Sequence, residues 1–162
     1  MRITAKGVGD HSQALRRVRP ATRVMAEGPC GHLTAQRWTR PRVALIAGGV
    51  GITPRRALLE VLPAAPGDVI LLYRADALRE VLLRTELEEL ARARGIEVRY
   101  LLGRRDKRPS PLSARHLRQH VPGIADRDVY LCGPPQMMDV VMKSLRSLDV
   151  GHSQIYSERF EL

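Results

Sequence analysis

Val43-Ala-Leu-Ile-Ala-Gly-Gly-Val-Gly-Ile-Thr-Pro54 decides the fold of this chain. Val43 to Ile46 form an apolar run that reads as a strand buried on both faces. Gly48, Gly49 and Gly51 follow at once, permitting positive φ and close approach of a ligand to the main chain. Thr53 is placed to cap a helix and Pro54 to stand first in it, ahead of Arg55-Arg-Ala-Leu-Leu-Glu-Val-Leu62. A glycine turn opening onto a helix N-terminus is a ready anion site. The same turn also satisfies plain strand-to-helix geometry, and it departs from the G-x-G-x-x-G dinucleotide fingerprint. The remaining elements must decide between these readings.

Working outward, Val69-Ile-Leu-Leu-Tyr-Arg74 is a second buried strand. Leu78 to Arg94 is expected as one amphipathic helix, with Leu83, Leu87, Leu90 and Ala91 on a single side and Gly95 ending it. Ile96 to Leu102 is the third strand. After the basic loop Arg104-Arg-Asp-Lys-Arg-Pro-Ser-Pro111 comes a short helix near Ser113 to His120. Asp128 to Cys132 is the fourth strand. Gly133-Pro-Pro135 turns into a helix with Met138, Val141, Met142, Leu145 and Leu148 inward, and Ser153 to Tyr156 is the fifth strand. Strands alternating with helices predict an α/β fold, a five-stranded parallel sheet with helices on both faces. Ligands of such sheets bind beyond the carboxyl ends of the strands, where the turns after Ala47 and Cys132 both fall.

The first forty residues depart from this rhythm. Arg2 to Lys6 and Arg23 to Glu27 read as strands, and two strands alone are marginal in water. Residues 1–40 are therefore expected to be the end of a larger β structure, and residues 41–162 the α/β domain. Unpaired strand edges predict self-association.

Composition narrows the function classes. The chain has 162 residues, 44% of them hydrophobic, with 27 basic and 17 acidic residues and a net charge of +10. Arginine dominates, since Lys6, Lys107 and Lys143 are the lysines. A net positive charge suits phosphorylated small molecules, nucleic acid or an anionic surface. The arginines are dispersed and aromatics make up only 4%, so nucleic acid is not an expected partner. No run reaches the ~18 to 20 apolar residues of a membrane span. Met1-Arg-Ile-Thr-Ala-Lys6 has no apolar signal core, so a cytoplasmic location is expected. Cys30 and Cys132 have neither disulfide-framework nor paired metal-ligand spacing.

"GGVGITP" at 48–54, "YLCGPPQMM" at 130–138 and "YSERFEL" at 156–162 together resemble the ferredoxin–NADP reductase family, most closely its bacterial ferredoxin- or ferric-reductase-like flavoenzymes. The resemblance makes residues 41–162 an NAD(P)H-binding domain. It makes residues 1–40 the last part of an incomplete flavin-binding antiparallel barrel, with "EGPCGHLT" at 27–34 in place of a G-P-aromatic-G turn. It implies that Gly48, Gly49, Val50, Gly51, Ile52 and Thr53 hold the coenzyme pyrophosphate. Cys132, Gly133 and Pro134 would wall the pocket where nicotinamide meets flavin, with Met137 facing the same place. Glu158 and Phe160 match tail positions beside the flavin ring. Arg74, after the second strand, and Arg104 and Arg105, after the third, lie where the adenosine ribose is read. Arginine clamps a 2′-phosphate bidentately, so NADP(H) is favoured over NAD(H).

The implied activity is hydride transfer from NAD(P)H to FAD, then one-electron transfer to ferredoxin, ferric iron or haem. Such chemistry needs two apposed rings rather than an acid or base. The family's R-x-[YF]-[ST] flavin strand is absent from the sequence. FAD binding is therefore expected to need residues outside this chain, supplied by a missing flavin domain or a membrane reductase subunit. The alternative is a non-catalytic NAD(P)-binding module of a truncated or split reductase. Simpler roles stand beside these: Cys132 as a small buried apolar residue, Arg104 to Arg108 as a solvated loop, Phe160 as a packing anchor, and His116 and His120 as a solvated helix face.

Overall fold

The computed structural model describes residues 4–5, 7, 9–25, 38–63, 65–104 and 110–159. The chain divides into two compact units, Met1–Gly31 and His32–Leu162. In the first, a short helix α1 (Asp10–Ala14) runs into a 3₁₀ turn at Leu15–Arg17, and neither buries a residue. The strands expected at Arg2–Lys6 and Arg23–Glu27 are not seen among the described residues: 4, 5 and 23–25 lie outside any strand. Val24 and Met25 are 70% and 103% exposed, so their apolar side chains pack against no sheet among the described residues. The rest of both expected strands lies outside the described residues.

The second unit is the α/β layer structure. Strands β1 (Val43–Gly48), β2 (Val69–Ala75), β3 (Glu97–Leu102), β4 (Asp128–Gly133) and β5 (Ile155–Arg159) form one sheet in the order β3-β2-β1-β4-β5. Every pairing is parallel. Helices α2 (Ile52–Val61) and α3 (Arg84–Arg94) cover one face; α4 (Ala114–His120) and α5 (Pro135–Arg146) cover the other. Burial on both sides explains why β1 and β4 read as unbroken apolar runs rather than alternating ones. Leu45, Ala47, Tyr73 and Tyr130 pack under α2 and α3, while Ala44, Ile46, Leu72 and Leu131 pack under α4 and α5.

Two buried polar groups fix the amino-terminal edge of the sheet. The Asp128 carboxylate accepts the Thr39 N–H at 2.6 Å and the Arg40 N–H at 3.0 Å, seating the segment that enters β1. Arg127 donates to the carbonyls of Pro122 and Asp68.

Three boundaries differ from the sequence expectation. The Leu78–Arg94 helix is broken: a 3₁₀ turn at Leu78–Glu80 precedes α3, with Leu83 in the left-handed region at φ 57. The Leu82 N–H is drawn to the Tyr73 hydroxyl at 3.0 Å instead of a helical carbonyl. Helix α2 begins at Ile52, capped by Gly51, so Thr53 is not its cap; its hydroxyl donates to the Val50 carbonyl at 3.0 Å. Pro54 is tolerated within that first turn because its missing N–H has no helical partner to lose. Finally, Ser153 and Gln154 belong to a 3₁₀ turn, and β5 runs two to three residues later than expected. The buried Gln154 amide donates to the Ala125 and Arg127 carbonyls, which holds the turn and moves Glu158 into the strand.

Candidate functional site

The chain steps from β1 outward to β2 and β3, then returns to β4 on the other side of β1. The carboxyl ends of β1 and β4 thus flank the point where the winding direction reverses, the place where open α/β sheets bind ligands. Both glycine turns sit there. Ala47 pairs with Cys132 across β1 and β4, Cys132 with Glu158 across β4 and β5, and Gly48 with Arg74 across β1 and β2.

The two turns are pressed together. A Cβ on Gly51 would lie 2.5 Å from the Cys132 carbonyl oxygen, and one on Gly133 would lie 3.1 Å from the Gly48 nitrogen. Met137 Sδ would be 2.5 Å from a Cβ on Gly48, so the Met137 side chain fills the seam. Gly49 is different: its φ is +55 and an added Cβ would meet nothing within 4 Å. One turn residue is therefore open to a ligand while its neighbours are closed by packing.

The predicted residues are only partly gathered. Gly48, Gly51, Cys132 and Gly133 are buried at the β1–β4 seam; Gly49 is exposed, and Val50, Thr53, Pro134 and Met137 are half-buried. Ile52 is in the core with 0% exposure, and its N–H turns back to the Gly49 and Val50 carbonyls, so its contribution is to the helix start itself. Glu158 is half-buried on β5. Arg104 is exposed just past β3, whereas Arg105 and Phe160 lie outside the described residues.

Arg74 is engaged with its own fold. Its guanidinium donates to the carbonyls of Ala75, Leu101 (3.2 Å) and Gly103 and lies 3.3 Å from Asp76 Oδ1. It ties the carboxyl ends of β2 and β3 together, which leaves it poorly placed to clamp a phosphate as the sequence reading expected.

Sequence reasoning passed over two residues. The Tyr73 hydroxyl bridges the Gly49 carbonyl and the Leu82 N–H, fixing the turn from below. Arg55 is fully buried beside the Tyr130 ring, its Cζ 6.0 Å from the ring centroid, which itself stacks on Tyr156 at 4.8 Å. Alternation along β4 and β5 puts Cys132 on the face of Tyr130 and Glu158 on that of Tyr156. Burial lowers the Arg55 pKa to about 10, against the favourable fields of Cys132, Glu158 and Tyr130. Burial also raises the Cys132 thiol above its ordinary 9.0; Arg55 opposes that rise and Glu158 adds to it. Arg55 stands in an otherwise aliphatic helix face, and that break in periodicity is the signal that could have found it.

These observations fit a dinucleotide: a seam at the switch point, an open glycine and a ten-residue helix starting there. They do not complete a flavin site, since the described residues of the first unit form no strand. Among the described residues no cluster of His, Cys, Asp or Glu could hold a metal, and no helix is long and apolar enough to cross a membrane.

The fold and seam define a parallel α/β domain of the nucleotide-binding class. Residues 45–143 match the family profile of the oxidoreductase NAD-binding domain, and the chain belongs to that family. NADH-cytochrome b5 reductase 1 of Lodderomyces elongisporus is 31% identical over 140 residues, covering 77% of this chain and 45% of that protein. Ferredoxin–NADP reductase B of Sorangium cellulosum is 28% identical over 173 residues, covering 98% and 70%. The FAD/NAD binding domain of a Vibrio cholerae nitric oxide dioxygenase superposes with a TM-score of 0.59 at 29% identity, covering 75% of this chain and 51% of that one. The chain spans about half the length of most of the curated relatives it matches. The resemblance read from the three motifs is thus to a group of NAD(P)H-dependent flavin oxidoreductases, some of them, like nitrate reductase, larger proteins in which this domain is one part.

Proposed function

We propose that this chain is the pyridine-nucleotide half of a ferredoxin-reductase-type flavin oxidoreductase, binding NAD(P)H across the β1–β4 seam. The observation that carries this reading is the seam itself, where an open, positive-φ Gly49 stands between turns too tightly packed to admit a Cβ. In this reading Gly48 to Thr53 cradle the pyrophosphate at the start of α2. Cys132, Gly133, Pro134 and Met137 border the nicotinamide, and Glu158 and Phe160 lie on the flavin side. Arg104 and Arg105 read the adenosine ribose and favour NADPH, a task from which Arg74 is withdrawn by its bonds to carbonyls. FAD, when bound, would supply acceptance of a hydride and release of single electrons, and residues outside this chain, in a missing flavin domain or a reductase subunit, would hold it. The acceptor is a redox protein, ferric iron or haem, in a cytoplasmic setting, which the two cysteines without a disulfide-framework spacing favour.

A second reading, favoured by the described residues of the first unit lying in no strand, is a nucleotide-binding module without turnover of its own. Calorimetric titration with NADPH and NADH, with and without added FAD, tests both. NADPH binding about tenfold tighter than NADH, corresponding to ~1.4 kcal/mol, supports the first assignment. Binding without reduction of added FAD selects the second, and absence of heat with either coenzyme refutes both.

A further inference from the structure

Arg55 lies on the inner face of α2, where its companions are Ile52, Leu58 and Leu59. Its side chain is fully buried, and none of its three guanidinium nitrogens makes a hydrogen bond. A guanidinium has five N–H donors, and burying them without acceptors is costlier than packing a methionine in the same space. Helix packing alone therefore does not account for a cation here. What distinguishes the position is its place: the Arg55 Cζ lies 6.0 Å from the Tyr130 ring centroid, and Tyr130 shares a face of β4 with Cys132 at the carboxyl edge of the sheet.

We propose that Arg55 makes the site prefer the reduced coenzyme, by repelling the positive nicotinamide ring of NADP+ while leaving the neutral ring of NADPH unaffected. The inference rests on the reading that Cys132 borders the nicotinamide. The two coenzyme forms share their adenosine and phosphates and differ only at the ring. Loss of a hydride, with both electrons of its C–H bond, would leave the nicotinamide ring with one positive charge that the reduced ring lacks. A buried cation beside that ring raises the energy of the oxidised product alone, and burial limits screening by salt. Glu158 acts in the opposite sense, but it is half-exposed, and water weakens its field more than that of Arg55. Arg55 is therefore a specificity-determining residue that speeds release of spent coenzyme.

The test is calorimetry of the full chain with NADPH, NADP+ and adenosine 2′,5′-bisphosphate, which has no nicotinamide. The wild type is expected to bind NADPH about tenfold more tightly than NADP+. Arg55→Met should shrink that ratio by at least about threefold, chiefly by tightening NADP+, while Arg55→Lys keeps it and Glu158→Gln widens it. Bisphosphate affinity should be the same in all four proteins. Thermal melts establish that each variant is folded, and Arg55→Lys carries the charge test independently of the methionine variant. An unchanged ratio in folded Arg55→Met overturns the proposal, as does equal weakening of all three ligands, which marks a structural role. Failure of the wild type to bind any of the three overturns the nucleotide reading itself, and this inference with it.

Discussion

The Tyr73 hydroxyl donates to the Gly49 carbonyl at 3.1 Å while accepting the Leu82 N–H at 3.0 Å. One buried phenol on β2 thereby fixes the glycine turn of β1 and ends the 3₁₀ turn ahead of α3. Tyr73→Phe removes both bonds and leaves the Leu82 N–H without its acceptor, so a stability loss of about 1–3 kcal/mol is expected in urea unfolding. NADPH affinity should fall with it, because the open glycine loses its support. Burial raises the Tyr73 pKa above 10.0. A pKa raised on folding gives stability that is complete below pH 10 and disappears as pH rises through the folded value; Tyr73→Phe should flatten that alkaline loss.

The glycines at the seam do different work, and alanine scanning should separate them. In Gly51→Ala the new methyl falls 2.5 Å from a backbone oxygen of Cys132, an atom with no side-chain freedom to move away. The β1 and β4 turns must part, and both nucleotide binding and thermal stability should drop. In Gly49→Ala the methyl has open space and the cost is the positive φ alone, about 1–2 kcal/mol. That variant should stay folded but lose coenzyme affinity, because its methyl occupies the ligand's side of the turn. Equal losses of thermal stability in the two variants would contradict the division.

The sheet was legible because its central strands β1, β2 and β4 are buried on both faces, and burial of that kind writes itself as unbroken apolar runs such as Val43–Ile46 and Val69–Tyr73. Glycine turns carry their own punctuation, so the seam could be located from spacing. Side-chain partners are another matter. Nothing local in the sequence says that Arg74 would spend its donors on Leu101 and Gly103, because those carbonyls come from a strand 27 and 29 residues away. The break at Leu83 was hidden for the same reason, since the hydroxyl that competes for the Leu82 N–H belongs to another strand. Arg55 was passed over because a charged residue in a helix ordinarily lies on the solvated face, and tertiary packing put it inside.

Cys132 gives a pH-dependent readout of the same corner. Burial raises its thiol above 9.0, with Arg55 partly offsetting the rise. The thiol is therefore protonated at neutral pH and unreactive toward alkylating agents, with thiolate appearing only on the alkaline side of the ordinary value. The difference in ultraviolet thiolate absorbance between the wild type and Cys132→Ala isolates this group from Cys30. Arg55→Met should move the titration further alkaline, since it removes a cation that favours the thiolate. A midpoint at or below 9.0 would show that the thiol is not desolvated as the fold implies.

Arg74 and Arg104 separate a structural from a recognition role on one sheet edge. Arg74 is held by backbone carbonyls of β2 and β3, so Arg74→Met should lower stability by about 1–3 kcal/mol while leaving the ratio of NADPH to NADH affinity nearly unchanged. Arg104 is exposed beyond the end of β3. Arg104→Ser removes this exposed guanidinium from the sheet edge. It should weaken NADPH several-fold and NADH hardly at all, because only NADPH presents a 2′-phosphate to a guanidinium. Competition by adenosine 2′,5′-bisphosphate should weaken in step with NADPH. If Arg74→Met instead removes the coenzyme preference and Arg104→Ser does not, the phosphate is read from β2, and the bonds that tie Arg74 to the sheet must open when the coenzyme binds.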